Sequence, residues 1–188
     1  MEKIDQRYPF SWYAVYIKSR AEKKAESELQ SKEIECFLPL QRKLRQWSDR
    51  KKWVEMPLIP GYLFVKTSCK EHNKVTESNY IVSYVRFDGK AATIPDNQIE
   101  YLKLMLRQNN AEIEITRENF EPGQFVEVIG GPLIGLQGRL VSINGKNKIA
   151  IELLQLGYSA LVEISPNDIH TIKTLSFDSF LLGHKQSL

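Results

Sequence analysis

Five of the chain's ten glycines, Gly123, Gly130, Gly131, Gly135 and Gly138, fall inside one sixteen-residue stretch. That density argues against a helix, because glycine forfeits the most backbone entropy when fixed in one. The segments around it, FVEV, RLVSI, IAIELL and ALVEI, are short, rich in β-branched residues and separated by turn signals, Asn144-Gly145 being the strongest. Residues 120–173 therefore read as a small all-β barrel, near the lower size limit for independent folding.

Upstream the texture differs. WYAVYI (12–17) reads as a strand, and RAEKKAESELQSK (20–32) as a helix with Ala21, Ala25 and Leu29 on a narrow apolar stripe. IECFLPL (34–40) and PLIPGYLFVKT (57–67) follow, the latter ending in a strong strand. A weak helical stretch near 70–77 and a strand IVSYVRF (81–87) precede a helix over 96–107, opened by Pro95 and Asp96. This order predicts a ferredoxin-like split βαβ unit over 8–109, its helices covering one face of an antiparallel sheet, so the fold class is α+β. Residues 110–119 are polar and read as a linker. The tail, 174–188, carries no interpretable signal.

Period-two alternation in YLFV sends Leu63 and Val65 to one face and Tyr62 and Phe64 to the other. With the aliphatic pair under the helices, the two rings, joined by Tyr16 from the first strand, point to the uncovered side and mark a partner site. The opposing reading is that the hairpin or the second unit covers them.

Charge is uneven along the chain. Through residue 109 there are 20 Lys and Arg against 14 Asp and Glu, whereas beyond it there are 6 against 9. A basic half of this kind points to nucleic acid. Six of the cations lie in RKLRQWSDRKK (42–52), opposed only by Asp49 and interleaved with Trp47, with Trp53 following. Ser48-Asp49 is a turn signal, so this segment predicts a projecting basic hairpin. Two cysteines and three scattered histidines offer no metal-ligand spacing, and GGPLIGLQG lacks the Lys-Ser/Thr ending of a phosphate loop. No metal, cofactor or catalytic ensemble is expected. The amino terminus lacks the apolar core of a secretory signal and no run is long enough for a membrane helix, so a soluble, cytoplasmic protein with no membrane partner is expected.

Together, WYAVYIKSRAEKKA, PLIPGYLFVK after a basic hairpin, VRFDG, and PGQFVEVIGGPLIGLQGRL in a separate barrel resemble the NusG family of transcription elongation and antitermination factors. The first unit resembles its NGN domain. The second resembles a KOW domain, at Gly123, Val126, Val128, Gly131-Pro132 and Gly138. LRQWSDRKKWVEMPLIPGYLFVK is most like the specialised UpxY-type paralogs.

The resemblance implies several sites. Tyr16, Tyr62, Phe64 and Phe87 would bind the clamp helices of the largest catalytic subunit of RNA polymerase and bias the clamp towards its closed, pause-resistant state. Lys18, Arg20, Lys23 and Lys24, at the start of the first helix, would approach non-template DNA or nascent RNA. A phosphate is welcome there because helix amino termini attract anions. The same helix cations also suit a solvated face with i,i+4 pairs such as Lys24 with Glu28. Arg45, Arg50, Lys51 and Lys52 on the hairpin form a second nucleic-acid surface, with Trp47 or Trp53 stacking on an unpaired base. Phe125, Ile129, Leu133 and Ile134 of the KOW unit would meet a protein partner, a ribosomal protein or a termination factor; barrel core packing is their alternative. Two departures from the family appear, Glu28 and Ser31 where some paralogs carry sequence-reading side chains, and SCKEHNKVTES in place of a threonine-rich loop.

Two other classes compete. An RRM-like single-stranded RNA-binding module would also carry aromatics on a sheet face, and GYLFV matches its signature at Gly61, Tyr62, Phe64 and Val65 but not at Pro60, Leu63 and Thr67. An acyl-phosphate hydrolase could use Arg20, but no nucleophile or general base accompanies it.

Overall fold

The computed structural model describes residues 9–46, 50–108, 112–118, 120 and 123–172. Trp47, Ser48 and Asp49 at the tip of the basic hairpin lie outside the described residues, as does the tail from 173.

The first unit contains β1 (Ser11–Ile17), α1 (Glu22–Ser31), β2 (Glu35–Phe37), β3 (Leu40–Gln46), β4 (Lys51–Pro57), β5 (Tyr62–Thr67), α2 (His72–Thr76), β6 (Ile81–Tyr84), β7 (Arg86–Phe87), β8 (Lys90–Ala91), β9 (Thr93–Ile94) and α3 (Asp96–Leu106). Its sheet runs β2-β5-β1-β6, with β9 also pairing β1. The central pair β1 and β5 is antiparallel, Tyr13 facing Val65 and Tyr16 facing Tyr62. β3 and β4 form a separate two-stranded ribbon.

Alternation on the two central strands divides the apolar residues into two clusters. Tyr13, Val15 and Ile17 of β1 and Leu63 and Val65 of β5 pack with Ala21, Ala25 and Leu29 beneath α1. The small residues of the α1 stripe let that helix lie close to the sheet. Its first turn is tied to the sheet by Glu22, whose Oε1 accepts from the Gly61 N–H at 3.0 Å. Gly61 has φ +82°, a left-handed conformation that glycine adopts without steric cost as the chain turns into β5. Trp12 and Ala14 of β1 and Phe64 of β5 belong to the opposite cluster, which also holds Ile99, Leu102 and Met105 of α3. The expectation that the helices share one face is therefore corrected: α1 covers one side of the sheet and α3 the other. Both helices carry a three-residue apolar stripe, and a sheet apolar on both sides needs one for each face.

The second unit is a six-stranded sheet in the order β10-β14-β13-β12-β11-β15, formed by β10 (Glu114–Thr116), β11 (Phe125–Val128), β12 (Gln137–Ile143), β13 (Lys146–Leu153), β14 (Tyr158–Glu163) and β15 (Ile169–Thr171). The β12–β13 hairpin closes at Asn144-Gly145, both with positive φ, as the sequence predicts. Gly138 allows a close crossing, since a Cβ there would lie 2.5 Å from the Ala150 carbonyl oxygen and 3.0 Å from both Ile149 Cγ1 and Ile151 Cδ1. The linker reading of 110–119 is corrected in part. Glu114–Thr116 is a barrel strand, Ile115 facing Ala160 of β14, and Ile113 is buried.

The two units share one apolar cluster. Residues of β1, β5 and α3 and the barrel residues Val126, Val128, Leu136, Ile149, Ile151 and Leu153 are continuous within it. Phe64, expected on an uncovered face, is consequently 0% exposed and stacks on Phe37 at 6.1 Å.

Two stability effects follow. Phe64→Ala should destabilise the first unit by about 3–5 kcal/mol in denaturant unfolding, the usual cost of emptying a packed aromatic site; a loss below about 1 kcal/mol would contradict the burial. Gly138→Ala should lower the barrel's stability by about 1–3 kcal/mol or more through overpacking, read as a drop in its thermal midpoint.

Candidate functional site

The ring-bearing face is built by β1, β5, α3 and the barrel. Tyr62 packs its ring 5.0 Å from Tyr16 and 6.0 Å from Tyr158, the latter edge-on and contributed by β14. Burial first, and the hydrogen bond with Tyr16 next, push the Tyr62 phenol well above its ordinary value, so it stays protonated across the physiological range. Tyr158 is held from behind by Arg117, whose guanidinium lies 4.8 Å from the ring centroid and donates through Nη2 to the Tyr158 hydroxyl at 2.5 Å. Two side-chain hydrogen bonds also cross between the units. Gln98 Nε2 of α3 donates to the Glu152 carbonyl at 2.9 Å, and Gln108 Nε2 donates to the Pro132 carbonyl at 2.9 Å.

The four sequence-nominated rings thus divide. Tyr62 is half-buried at the junction and Phe64 sits beneath it in the core, while Tyr16 (39% exposed) and Phe87 (67% exposed) remain accessible. Tyr158, Arg117 and Gln98 were not singled out from the sequence. Tyr158 follows the left-handed Gly157 in an ordinary strand, and no local pattern marks it as an inter-unit contact.

The cations of the first helix, Lys18, Arg20, Lys23 and Lys24, are all exposed around the start of α1. Lys23 reaches the ribbon, its Nζ 3.0 Å from Glu55 Oε2. Glu28 pairs not with Lys24 but with Lys32 at 3.0 Å, and it accepts from Ser78 Oγ at 2.8 Å. These two hydrogen bonds, that from Lys32 first, hold its carboxyl below the usual range. Glu28 therefore fastens α1 to the loop after α2.

On the ribbon, Arg45, Arg50, Lys51, Lys52 and Trp53 are exposed. The ribbon's base is anchored to the chain entering the barrel. Lys43 lies 3.7 Å from Glu112, and the Gln41 amide, oriented to match, donates to Ile113 O at 3.2 Å and accepts from Ile113 N at 2.6 Å.

The barrel residues divide too. Ile129 and Ile134 are 55% and 60% exposed and Phe125 is half-buried, but Leu133 is a core residue at 5% and is withdrawn as a surface contact. The short 3-10 turn Gly131–Leu133 directs Leu133 inward. Much of the barrel's acid is neutralised internally by Lys148–Glu114, Arg139–Glu152 and Lys146–Glu163 pairs at 2.6–2.7 Å.

Among the described residues no group of three acidic, histidine or cysteine side chains could hold a metal ion, and no helix is long and apolar enough to cross a membrane. The α2 segment sets His72 between Tyr13 and Tyr84, with ring centroids at 4.7 and 4.5 Å. Burial lowers the His72 pKa, so this cluster is a neutral packing feature.

The chain is 23% identical over 174 residues to the transcription termination/antitermination protein NusG of Pseudomonas aeruginosa, covering 86% of this chain and 98% of that protein. The solved structure "Domain interaction in Thermotoga maritima NusG" is 20% identical, with a TM-score of 0.47 over 87% of this chain and 98% of that one. The family model described as "Transcription termination factor nusG" matches residues 10–103, the sheet and helices of the first unit. With half of its length inside that model, the chain belongs to the NusG family.

Proposed function

We propose that this protein is a transcription termination/antitermination factor that acts by binding RNA polymerase, its first unit gripping the clamp helices of the largest catalytic subunit through the Tyr62–Phe64 face. The observation that carries the reading is the composition of that face. Rings from β1 and β5 and the apolar stripe of α3 form a surface that the first unit does not cover alone, and its remaining cover comes from a second unit of the same chain. A surface of large aromatic and aliphatic groups is suited to a helical partner, since such residues supply most of the binding energy at protein interfaces.

On this reading the barrel and the polymerase compete for one face. The barrel must swing away for Tyr62 and Phe64 to engage, while Tyr16 and Phe87 are accessible beforehand. Seated on the clamp, the factor would favour the closed, pause-resistant state by population shift, without a chemical step of its own. Lys18, Arg20, Lys23 and Lys24, exposed near the start of α1, would face non-template DNA or nascent RNA beside the polymerase. The barrel would recruit a protein partner, a ribosomal protein or a termination factor, through Ile129 and Ile134, with Phe125 at the edge. Its net acidity disfavours RNA phosphate as that partner.

Two variants of the full chain test the reading in opposite directions. Tyr62→Ala should weaken binding to purified RNA polymerase by about tenfold or more, as loss of an aromatic anchor does. Tyr158→Ala removes a ring from the cover and leaves the first unit intact, so polymerase binding should tighten several-fold as the open fraction rises. Unchanged affinity in both variants would overturn the proposed binding face. Run-off transcription across a terminator, with and without the protein, then reads the direction of the effect on the polymerase.

A further inference from the structure

The segment that enters the barrel, 112–118, touches both units at once. In the barrel sheet β10 lies outermost beside β14, and the other five strands are contiguous without it. Side chains along a strand alternate between faces. Ile113 and Ile115 accordingly join the apolar cluster that the units share, while Glu114 stands on the opposite face, in register with Leu161. There the Nζ of Lys148 lies 2.6 Å from Glu114 Oε1. Lys148 is buried, and Glu163, its register neighbour on β14, is engaged by Lys146. Among the described residues Glu114 is thus the counter-charge of a buried cation, and a buried charge that loses its partner is strongly disfavoured. Phe120 packs with Val141, Ala150 and Leu161 on this same face, and Arg117 donates to the Tyr158 hydroxyl of β14. Ladder, ion pair and apolar cover all fasten the segment to the barrel.

On the side of the first unit the hold is of another kind. Lys43 and Glu112 are 3.7 Å apart with well-exposed side chains, a pairing that water and salt weaken. The remaining polar contact is made by Gln41 of β3, which is buried, and it takes both backbone groups of the buried Ile113. Its Oε1 accepts from the Ile113 N–H at 2.6 Å and its Nε2 donates to the Ile113 carbonyl at 3.2 Å. One side-chain amide supplies what a neighbouring strand would, at a place where unpaired backbone groups are costly.

We propose that Gln41 is the latch between the two units: 112–118 moves with the barrel as its sixth strand, and when the units part the break falls between Gln41 and Ile113. The inference rests on the reading that the units separate to bare the Tyr62–Phe64 face, and it assigns control of that separation to one residue. Parting at Gln41 gives up two neutral hydrogen bonds, which water replaces once the site is open. Parting at β14 would give up the strand ladder, the Lys148 pair and the Phe120 cover together. The Arg117–Tyr158 contact lies wholly within the moving body on this assignment, so the ring that covers Tyr62 leaves with the strand that braces it.

The test is backbone amide spin relaxation and hydrogen exchange on the full chain alone. The unaltered protein should tumble with one rotational correlation time. Gln41→Glu still accepts from the Ile113 N–H but cannot donate to its carbonyl, and it sets a charge against that oxygen. It should yield two shorter correlation times, one for each unit, with exchange of the β10 amides held within about threefold of the unaltered rate. Ile113→Pro deletes the N–H from the other side of the contact without altering the ribbon, and it too should yield two. Lys43→Ala should keep one. Glu114→Gln should speed β10 exchange about tenfold by leaving Lys148 without its counter-charge. Separate tumbling of the unaltered protein or of Lys43→Ala would overturn the assignment, as would a single correlation time in Gln41→Glu or in Ile113→Pro. So would β10 exchange that rises about tenfold in Gln41→Glu or is indifferent to Glu114→Gln. Polymerase enters none of these measurements, so a failed clamp contact would leave the latch standing.

Discussion

Alternation along β1 and β5 gives the first sheet two apolar faces, and both must be removed from water. One face is solved locally. Ala21, Ala25 and Leu29 of α1 descend onto Val15, Leu63 and Val65, and the chain needs only a short connection to bring them there. The other face bears larger groups, Trp12, Phe64 and the half-buried Tyr62, which the slim stripe of α3 does not cover completely. Burying rings of this size is worth more than any single hydrogen bond available at the junction. The second unit therefore settles where the first has apolar area left over, and the arrangement of the two units follows from that imbalance.

Much of this was legible in the sequence. The strand and helix order of the first unit, the barrel, the Asn144-Gly145 hairpin and the inward and outward sets of β5 all follow from period, propensity and turn chemistry, which are local properties. What covers Phe64 is not local. The period-two pattern assigns Phe64 to the face opposite Leu63, and that assignment is correct, but nothing in YLFV tells whether a partner, a helix or another unit lies above it. The same limit applies to α3, whose stripe of Ile99, Leu102 and Met105 fits either side of a sheet. Leu133 was ambiguous for a related reason. In GGPLIG the turn decides which of Leu133 and Ile134 points inward, and Ile134 is the exposed one. Glu114–Thr116 escaped notice because a three-residue edge strand of mostly polar composition has too little pattern to separate it from a linker.

The ribbon and the barrel obey different electrostatic logic. Around the barrel, lysines and arginines are matched with glutamates at 2.6–2.7 Å; the exposed Lys146–Glu163 pair adds little beyond local order, whereas Glu114 supplies the counter-charge that the buried Lys148 needs. On the ribbon, like charges stand opposite each other and an indole is left in water. Both features cost stability, and neither is required by the sheet, whose strands do not include β3 or β4. A fold retains such a feature without structural return most readily where a ligand supplies the missing partner.

The junction between the units also has features of a reversible contact. Its hydrogen bonds run from two glutamine side chains to backbone carbonyls, groups that water satisfies equally well once the units part. Gln98 donates across the junction with its nitrogen while its Oε1 is buried without a partner, a desolvation cost that is relieved when the contact opens. Against this stand the ring contact of Tyr62 with Tyr158 and the apolar continuity around α3, which favour closure. The balance sets the fraction of molecules with the Tyr62–Phe64 face bare, and any ligand of that face binds with an affinity reduced in proportion to that fraction. A closed population one hundred times the open one would weaken binding about a hundredfold, equivalent to about 2.7 kcal/mol. A regulator that touches only the barrel can therefore alter binding at the first unit without contacting it, provided it binds the two arrangements unequally.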